Sequence, residues 1–181
     1  MPNKKYLPAS VLVLPFLLLL TGCDINGLLA DGSDQSTTRS AKTSEEGVAD
    51  GLLPKWVPKG GTNAELVQRN SGSERIFVMD YAGDLPAKAC KPLGTVGEPT
   101  KTELANAYAS DDRIKSFDPE EISDTRTLEA SWWPEGTELR TTHLCERFWV
   151  QQSDGKLYAF APDTIDTVTN VQKEREARNS Q

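Results

Sequence analysis

The apolar positions fall into three unlike stretches. Residues 7–20 are an almost unbroken run, Leu7 to Leu20, interrupted only by Pro8, Ser10 and Pro15. From Asp24 to Gly51 the chain is mostly Gly, Ser, Thr, Asp, Glu and Ala with no aromatic residue and few large apolar ones, a composition that buries too little surface to offset ordering entropy. Alternating and helical patterns begin only at Leu52. Trp56, set between Pro54 and Pro58, reads as a rigid extended segment pinned onto a domain. Glu65–Arg69 and Arg75–Tyr81 flank the turn residues Asn70-Ser71-Gly72-Ser73 and predict a hairpin. Leu85 to Cys90 reads as a short helix or turn. Thr100 and Glu103 form a capping box ahead of Leu104 and Tyr108, which predicts a helix over 101–109. Residues 110–124 are polar and read as loop. Residues 125–133 alternate as a strand stopped by Pro134-Glu135-Gly136. Arg147–Gln152 and Lys156–Phe160, joined by Ser153-Asp154-Gly155, predict a second hairpin. The last stretch, with Ile165, Val168 and Val171 before a highly charged end, is open between helix and coil.

Short connections favour antiparallel pairing. The expected fold is therefore α+β: a small antiparallel sheet of four or five strands, one or two short helices and one disulfide. The expected organisation is a signal peptide over 1–22, an acylated Cys and flexible tether over 23–51, a globular domain over 52–165 and a charged tail over 166–181.

The first stretch sets the expected location. Lys4 and Lys5 precede the apolar run, which is too short for a spanning helix of about 20 residues and suits a signal h-region. It ends in Leu20-Thr21-Gly22-Cys23, which resembles a bacterial lipobox. That resemblance implies cleavage between Gly22 and Cys23 and diacylglyceryl transfer to the Cys23 thiol. The competing readings are an ordinary secretory signal with an incidental Cys23, or an uncleaved anchor. Acyl chains contribute about 0.8 kcal/mol per buried methylene, so two chains hold a protein stably on a bilayer. Asp24, next to the acylated position, resembles an inner-membrane retention signal of double-membrane bacteria. The expected localisation is the extracytoplasmic face of the cell membrane, and the lipid bilayer is the first expected partner.

Charge and rare residues narrow the chemistry. The 181 residues carry a net charge of −7, one His and three Cys. Removing residues 1–22 takes away two lysines and no carboxylate, so −7 becomes −9. Such a surface argues against nucleic acid, whose phosphates need a basic face. One His and three Cys do not make a usual zinc site, and no metal or cofactor is expected. With Cys23 acylated, Cys90 and Cys145 are left as an even pair in an oxidising compartment and predict a disulfide.

A catalytic reading has to use His143, because a Ser-His-Asp arrangement needs a base. Its neighbours Thr141, Thr142 and Leu144 offer no nucleophile elbow. Asp118, Glu120, Glu121 and Asp124 supply carboxylates but lie in a run that reads as solvated loop. The aromatic residues give a different lead. Strand alternation puts Leu128, Ala130 and Trp132 on one face and Trp133 on the other, leaving Trp133 partly exposed. Trp149 opposes Phe148 and Val150 in the same way, and Tyr158 with Phe160 opposes Leu157 and Ala159. Either a second layer covers these rings, or Trp133, Trp149 and Tyr158 form an exposed platform for a glycan or an envelope protein.

The combination of lipobox, polar linker, Leu53-Pro54-Lys55-Trp56-Val57-Pro58, two distal cysteines and Trp132-Trp133-Pro134 resembles small uncharacterised lipoproteins of actinobacteria. The resemblance implies a lipid-anchored envelope domain and brings no catalytic residue with it. The first expectation is a non-catalytic binding module for an envelope protein or glycan. The alternative is a small cell-envelope hydrolase using His143 and a carboxylate.

Overall fold

The computed structural model describes residues 32–109, 115 and 118–181. The signal segment, Cys23 and Asp24 lie outside the described residues. Seven strands form one antiparallel sheet: β1 Ser36–Thr43, β2 Thr62–Arg69, β3 Arg75–Asp80, β4 Cys90–Pro92, β5 His143–Cys145, β6 Phe148–Ser153 and β7 Lys156–Ala161. Their spatial order is β1-β2-β3-β7-β6-β5-β4. Three α-helices accompany them among the described residues: α1 Ser44–Ala49, α2 Lys101–Tyr108 and α3 Ile165–Asn179.

Both predicted hairpins are present as β2–β3 and β6–β7, with the Asp154-Gly155 turn supplying the positive φ that the tight connection needs. The capping box of α2 is formed: Thr100 Oγ1 accepts from Glu103 N–H, and the Glu103 carboxylate accepts from Thr100 N–H at 2.8 Å. Leu85 to Cys90 is a turn in which Ala89 N–H bonds Pro86 O.

Strand alternation gives the sheet two apolar faces, and both are covered. One carries Leu66, Phe77, Met79, Cys90, Cys145, Phe148, Val150 and Leu157 beneath Leu53, Trp56 and Val57. The other carries Val67, Ile76, Val78, Leu144, Trp149, Tyr158 and Phe160 beneath Leu104, Tyr108, Ile122, Leu128 and Trp133. Trp56 is buried edge-on against Phe148, with ring centroids 5.7 Å apart.

The structure corrects the tether, the strand over 125–133 and the strand number, and it settles the last stretch as helix. The flexible tether over 23–51 does not extend through residues 36–49, which form edge strand β1 and helix α1. Hydrogen bonding to β2 orders β1 although Ala41 is its one buried side chain. Thr43 caps α1, and Gly47 lets the helix sit so close to Leu53 that an added Cβ would lie 2.8 Å from Leu53 Cδ1. The last stretch, open between helix and coil in the sequence, is largely α3, held by buried Val168 and Val171 on one side. The strand expected over 125–133 is absent. That segment has no regular structure, and the N–H groups of Thr127 and Leu128 bond the Glu74 carboxylate instead of a neighbouring strand. The described sheet has seven strands instead of four or five because β1, β4 and β5 join the two hairpins.

Candidate functional site

The predicted cysteine pair is joined. Cys90 and Cys145 stand directly opposite each other on β4 and β5 and form a disulfide. Both sulfurs belong to the core face, so alternation turns the adjacent Lys91 and Leu144 to the other side. There α2 lies alongside, and a groove of about 490 Å³ opens between them. Ala89, Pro92, Leu93, Ala107 and Leu144 give it an apolar lining, and Lys88, Lys91, Glu103, Asn106 and Glu146 set polar groups around it. An apolar centre with a polar rim is the usual anatomy of a contact surface, and the volume suits a ligand group or an inserted side chain.

Two features fix the groove's shape. Glu103 bonds Gly94 N–H at 2.9 Å while it caps α2, and these bonds, led by the one from Gly94, hold its carboxyl below the ordinary glutamate range. Glu146 has φ +53, a left-handed conformation natural to Gly or Asn and costly for Glu, and its N–H bonds Ala89 O at 3.2 Å. Asn63 and Asp154 also have positive φ, but both residue types visit that region readily. Glu146 and Arg147 are the two residues that join β5 to β6, so the positive φ at Glu146 is the one a tight hairpin turn needs, here met by a residue type that adopts it at a cost.

The aromatic residues are placed otherwise than expected. Trp133 is buried and Trp132 is half-buried, the reverse of the predicted assignment. Alternation fails here because Trp133 N–H closes a turn onto Ala130 O. Its indole N–H donates to Glu138 at 3.2 Å, Arg126 lies over its ring, and Tyr158 meets it edge-on with centroids 5.8 Å apart. Trp149 packs edge-on against Phe160 at 5.4 Å and beside Tyr108, whose hydroxyl is pushed well above its ordinary value by burial. Tyr158 is buried as well. Trp133, Trp149 and Tyr158 thus serve as core under the second layer, and they do not present an exposed platform. Trp149 does border a mixed crevice of about 390 Å³ that also includes Lys101, Asp124, Thr169 and Gln172.

His143 is half-buried, and burial holds its imidazole below the ordinary value. Its Nδ1 lies 3.0 Å from Thr142 Oγ1, which also reaches Val150 O. One hydroxyl proton cannot serve both, so a Thr142 bond to Val150 makes Nδ1 the donor and leaves Nε2 as the acceptor. The cavity beside His143 is lined by Asp84, Gln152, Leu85 and Cys90. Asp118, Glu120, Glu121 and Asp124 are not among its lining residues. Among the described residues no group of three His, Cys, Asp or Glu side chains is arranged to hold a metal ion.

A denser polar cluster escaped sequence reasoning. Glu74 and Arg69 are both buried and bonded, Arg69 Nη2 to Glu74 Oε2 at 3.1 Å. Glu74 Oε1 accepts from Thr127 N–H at 2.6 Å and Leu128 N–H at 2.8 Å. Arg69 also donates to Ser33 O at 2.9 Å. Next to it, Asp34 receives Arg175 through two nitrogens, at 2.8 and 2.9 Å, and Arg178 as well. Burial opposes ionisation of Asp34, but the bonds from Arg175 and Arg178 outweigh it and leave the carboxyl below its ordinary value. Glu174 accepts from Ser33 N–H at 2.7 Å, so the segment leading into β1 is clasped to α3. Each partner here has a structural duty.

Comparison with protein-family models, with curated proteins and with solved structures finds no match.

Proposed function

We propose that this protein is a non-catalytic binding module of the bacterial envelope, anchored through acylated Cys23 and engaging an envelope protein through the groove between α2 and β4–β5. The observation that carries the binding reading is that groove. Its apolar lining stays open on a domain whose two sheet faces are otherwise covered. The adjacent disulfide and the tight β5–β6 turn at Glu146 restrain its floor, which lowers the ordering cost of association. Burial of Trp133, Trp149 and Tyr158 favours a protein partner over a stacked glycan. The anchor rests on the Leu20-Thr21-Gly22-Cys23 motif.

The test is a photo-crosslinking residue at the exposed Asn106, in cells labelled with an alkyne fatty acid. The protein should carry the label and partition with membranes, and Cys23→Ala should abolish both. Asn106 should crosslink to a discrete envelope protein, and the same residue at Lys173 should not. Equal crosslinking from the two sites would remove the groove from the reading, and label retained by Cys23→Ala would remove the anchor.

A further inference from the structure

The two ends of the sheet are finished differently. At one end β4 is three residues long and closes with Pro92, which has no N–H to offer, while Cys90 N–H is taken by Pro86 O at 2.9 Å. At the other end β1 runs for eight residues without proline. Its pairing with β2 fixes which backbone groups are spent. Asn70 N–H donates to Gln35 O at 2.9 Å, and Arg69 N–H points the opposite way, to Glu74 O at 3.0 Å. In an antiparallel ladder alternate residues address the same neighbour. Thr37, Arg39 and Ala41 therefore face β2, and Ser36, Thr38, Ser40 and Lys42 face outward.

The Lys42 N–H is closed by Glu46 at 3.1 Å. Ser36, Thr38 and Ser40 are exposed, and among the described residues no strand pairs with them on the outer side. Each leaves one N–H donor and one C=O acceptor directed outward. Long edges of this kind are normally blocked by proline, a bulge or a covering element. Among the described residues the outer side of β1 has none of these over Ser36–Ser40.

Charge identifies the occupant. Arg39 and Lys42 stand on opposite faces of β1, both are exposed, and neither forms an ion pair among the described residues. Glu65, opposite Ser40, is one strand further in. The charged side chains that β1 itself carries at this edge are thus cationic, with the Glu46 carboxylate at its Lys42 end, on a chain whose net charge is −7. A second copy docking edge to edge would bring Arg39 and Lys42 of both copies together and oppose two acidic bodies.

We propose that the outer edge of β1 accepts, by strand addition, an extended segment of a partner polypeptide carrying carboxylates on both of its faces. Backbone bonds to Ser36, Thr38 and Ser40 supply the affinity, and Arg39 and Lys42 select the charge. This surface is separate from the groove, and it stands whether or not the groove binds.

The experiment uses full-length protein in detergent micelles and a short peptide of Thr and Val with two adjacent central glutamates, which point to opposite faces. One control peptide has lysines in place of the glutamates. A second keeps the glutamates but is N-methylated along its pairing edge. The readout is amide hydrogen exchange at Thr38 and Ser40. The glutamate peptide should slow exchange there by about tenfold or more, and the lysine peptide should bind at least about tenfold more weakly. The N-methylated peptide should give no protection. The R39E/K42E variant should exchange the preference between glutamate and lysine peptides. Thr38→Pro, which removes an N–H that β2 does not use, should lose the protection while the fold persists. Unchanged exchange with the glutamate peptide would overturn the proposal. Equal binding of the N-methylated peptide would overturn it too, because attraction would then be purely electrostatic. Protection that rises with protein concentration alone would replace it with pairing between two copies.

Discussion

Replacing Glu74 by Gln is the most exacting test of how the domain is held together. Every partner of that carboxylate is a donor: the N–H groups of Thr127 and Leu128 on one oxygen, and Arg69 Nε and Nη2 with the Thr127 hydroxyl on the other. An amide has one oxygen and one NH2 group. Whichever way it turns, donors face donors, and the buried Arg69 loses the nearer of its two carboxylates, keeping only Asp34 at 3.4 Å. Breaking a buried pair by removing one partner costs about 3–5 kcal/mol. Against a total stability of about 5–15 kcal/mol this is a large fraction. At about 2–4 °C per kcal/mol for a chain of this size, Tm should fall on the order of 10 °C. Thermal unfolding followed by circular dichroism reads the shift, and urea unfolding gives the free energy. The loss should also survive high salt, because buried charges are little screened. A cost below about 1 kcal/mol would refute the reasoning, since that is what an exposed pair is worth.

Other consequences are as direct. Replacing Cys90 and Cys145 by Ala reopens a loop with a sequence separation of 55 and should cost about 4 kcal/mol by chain entropy; a loss under about 1 kcal/mol in urea titrations would contradict that account. Hydrogen exchange at Lys91 and Leu144 should quicken in the same variant, since the bridge fixes the groove's floor. The folded-state pKa of Asp34 is lowered, so its contribution is present above the unfolded value of about 3.9 and is lost as pH falls through the folded one. Asp34→Asn should therefore be less stable than wild type at neutral pH and converge on it in acid; a difference independent of pH would show that the Arg175 and Arg178 contacts do not depend on the Asp34 charge. Trp133→Ala should cost about 3–5 kcal/mol as a buried aromatic truncation, and Trp132→Ala clearly less; equal costs would contradict the burial assignment.

The parts of the fold that were legible in the sequence are those whose information is local. Two hairpins announced themselves by alternation around Gly-containing turns, and α2 by a capping box, because a turn or a cap is specified within a few residues. The disulfide followed from parity. By contrast, β1 reads Ser-Thr-Thr-Arg-Ser-Ala-Lys-Thr and buries only Ala41, so no amphipathic signal exists to be read. Its order comes from a ladder to β2 and from the clasp of Ser33 and Asp34 onto Glu174, Arg175 and Arg178, more than 130 residues away in the chain. Composition can show that a segment buries little. It cannot show that a distant strand satisfies its backbone.

The segment at 125–133 carries the same lesson in reverse. Its alternation is real, yet no strand lies where a ladder would need one. The carboxylate of Glu74 takes the N–H groups of Thr127 and Leu128, and Arg175 donates to Thr127 O at 2.8 Å, so side chains do the work of a neighbouring strand. Freed from a ladder, the chain turns at Ala130–Trp133 and sends Trp133 inward, which removes the predicted aromatic platform. The aromatic residues that suggested a platform are therefore core, and the groove and the β1 edge lie where aromatic residues are absent. The groove is lined by small aliphatic and charged side chains, and β1 offers mainly its backbone. Neither leaves a residue-type signature, because recognition there depends on main-chain direction and on what the disulfide and α2 leave uncovered.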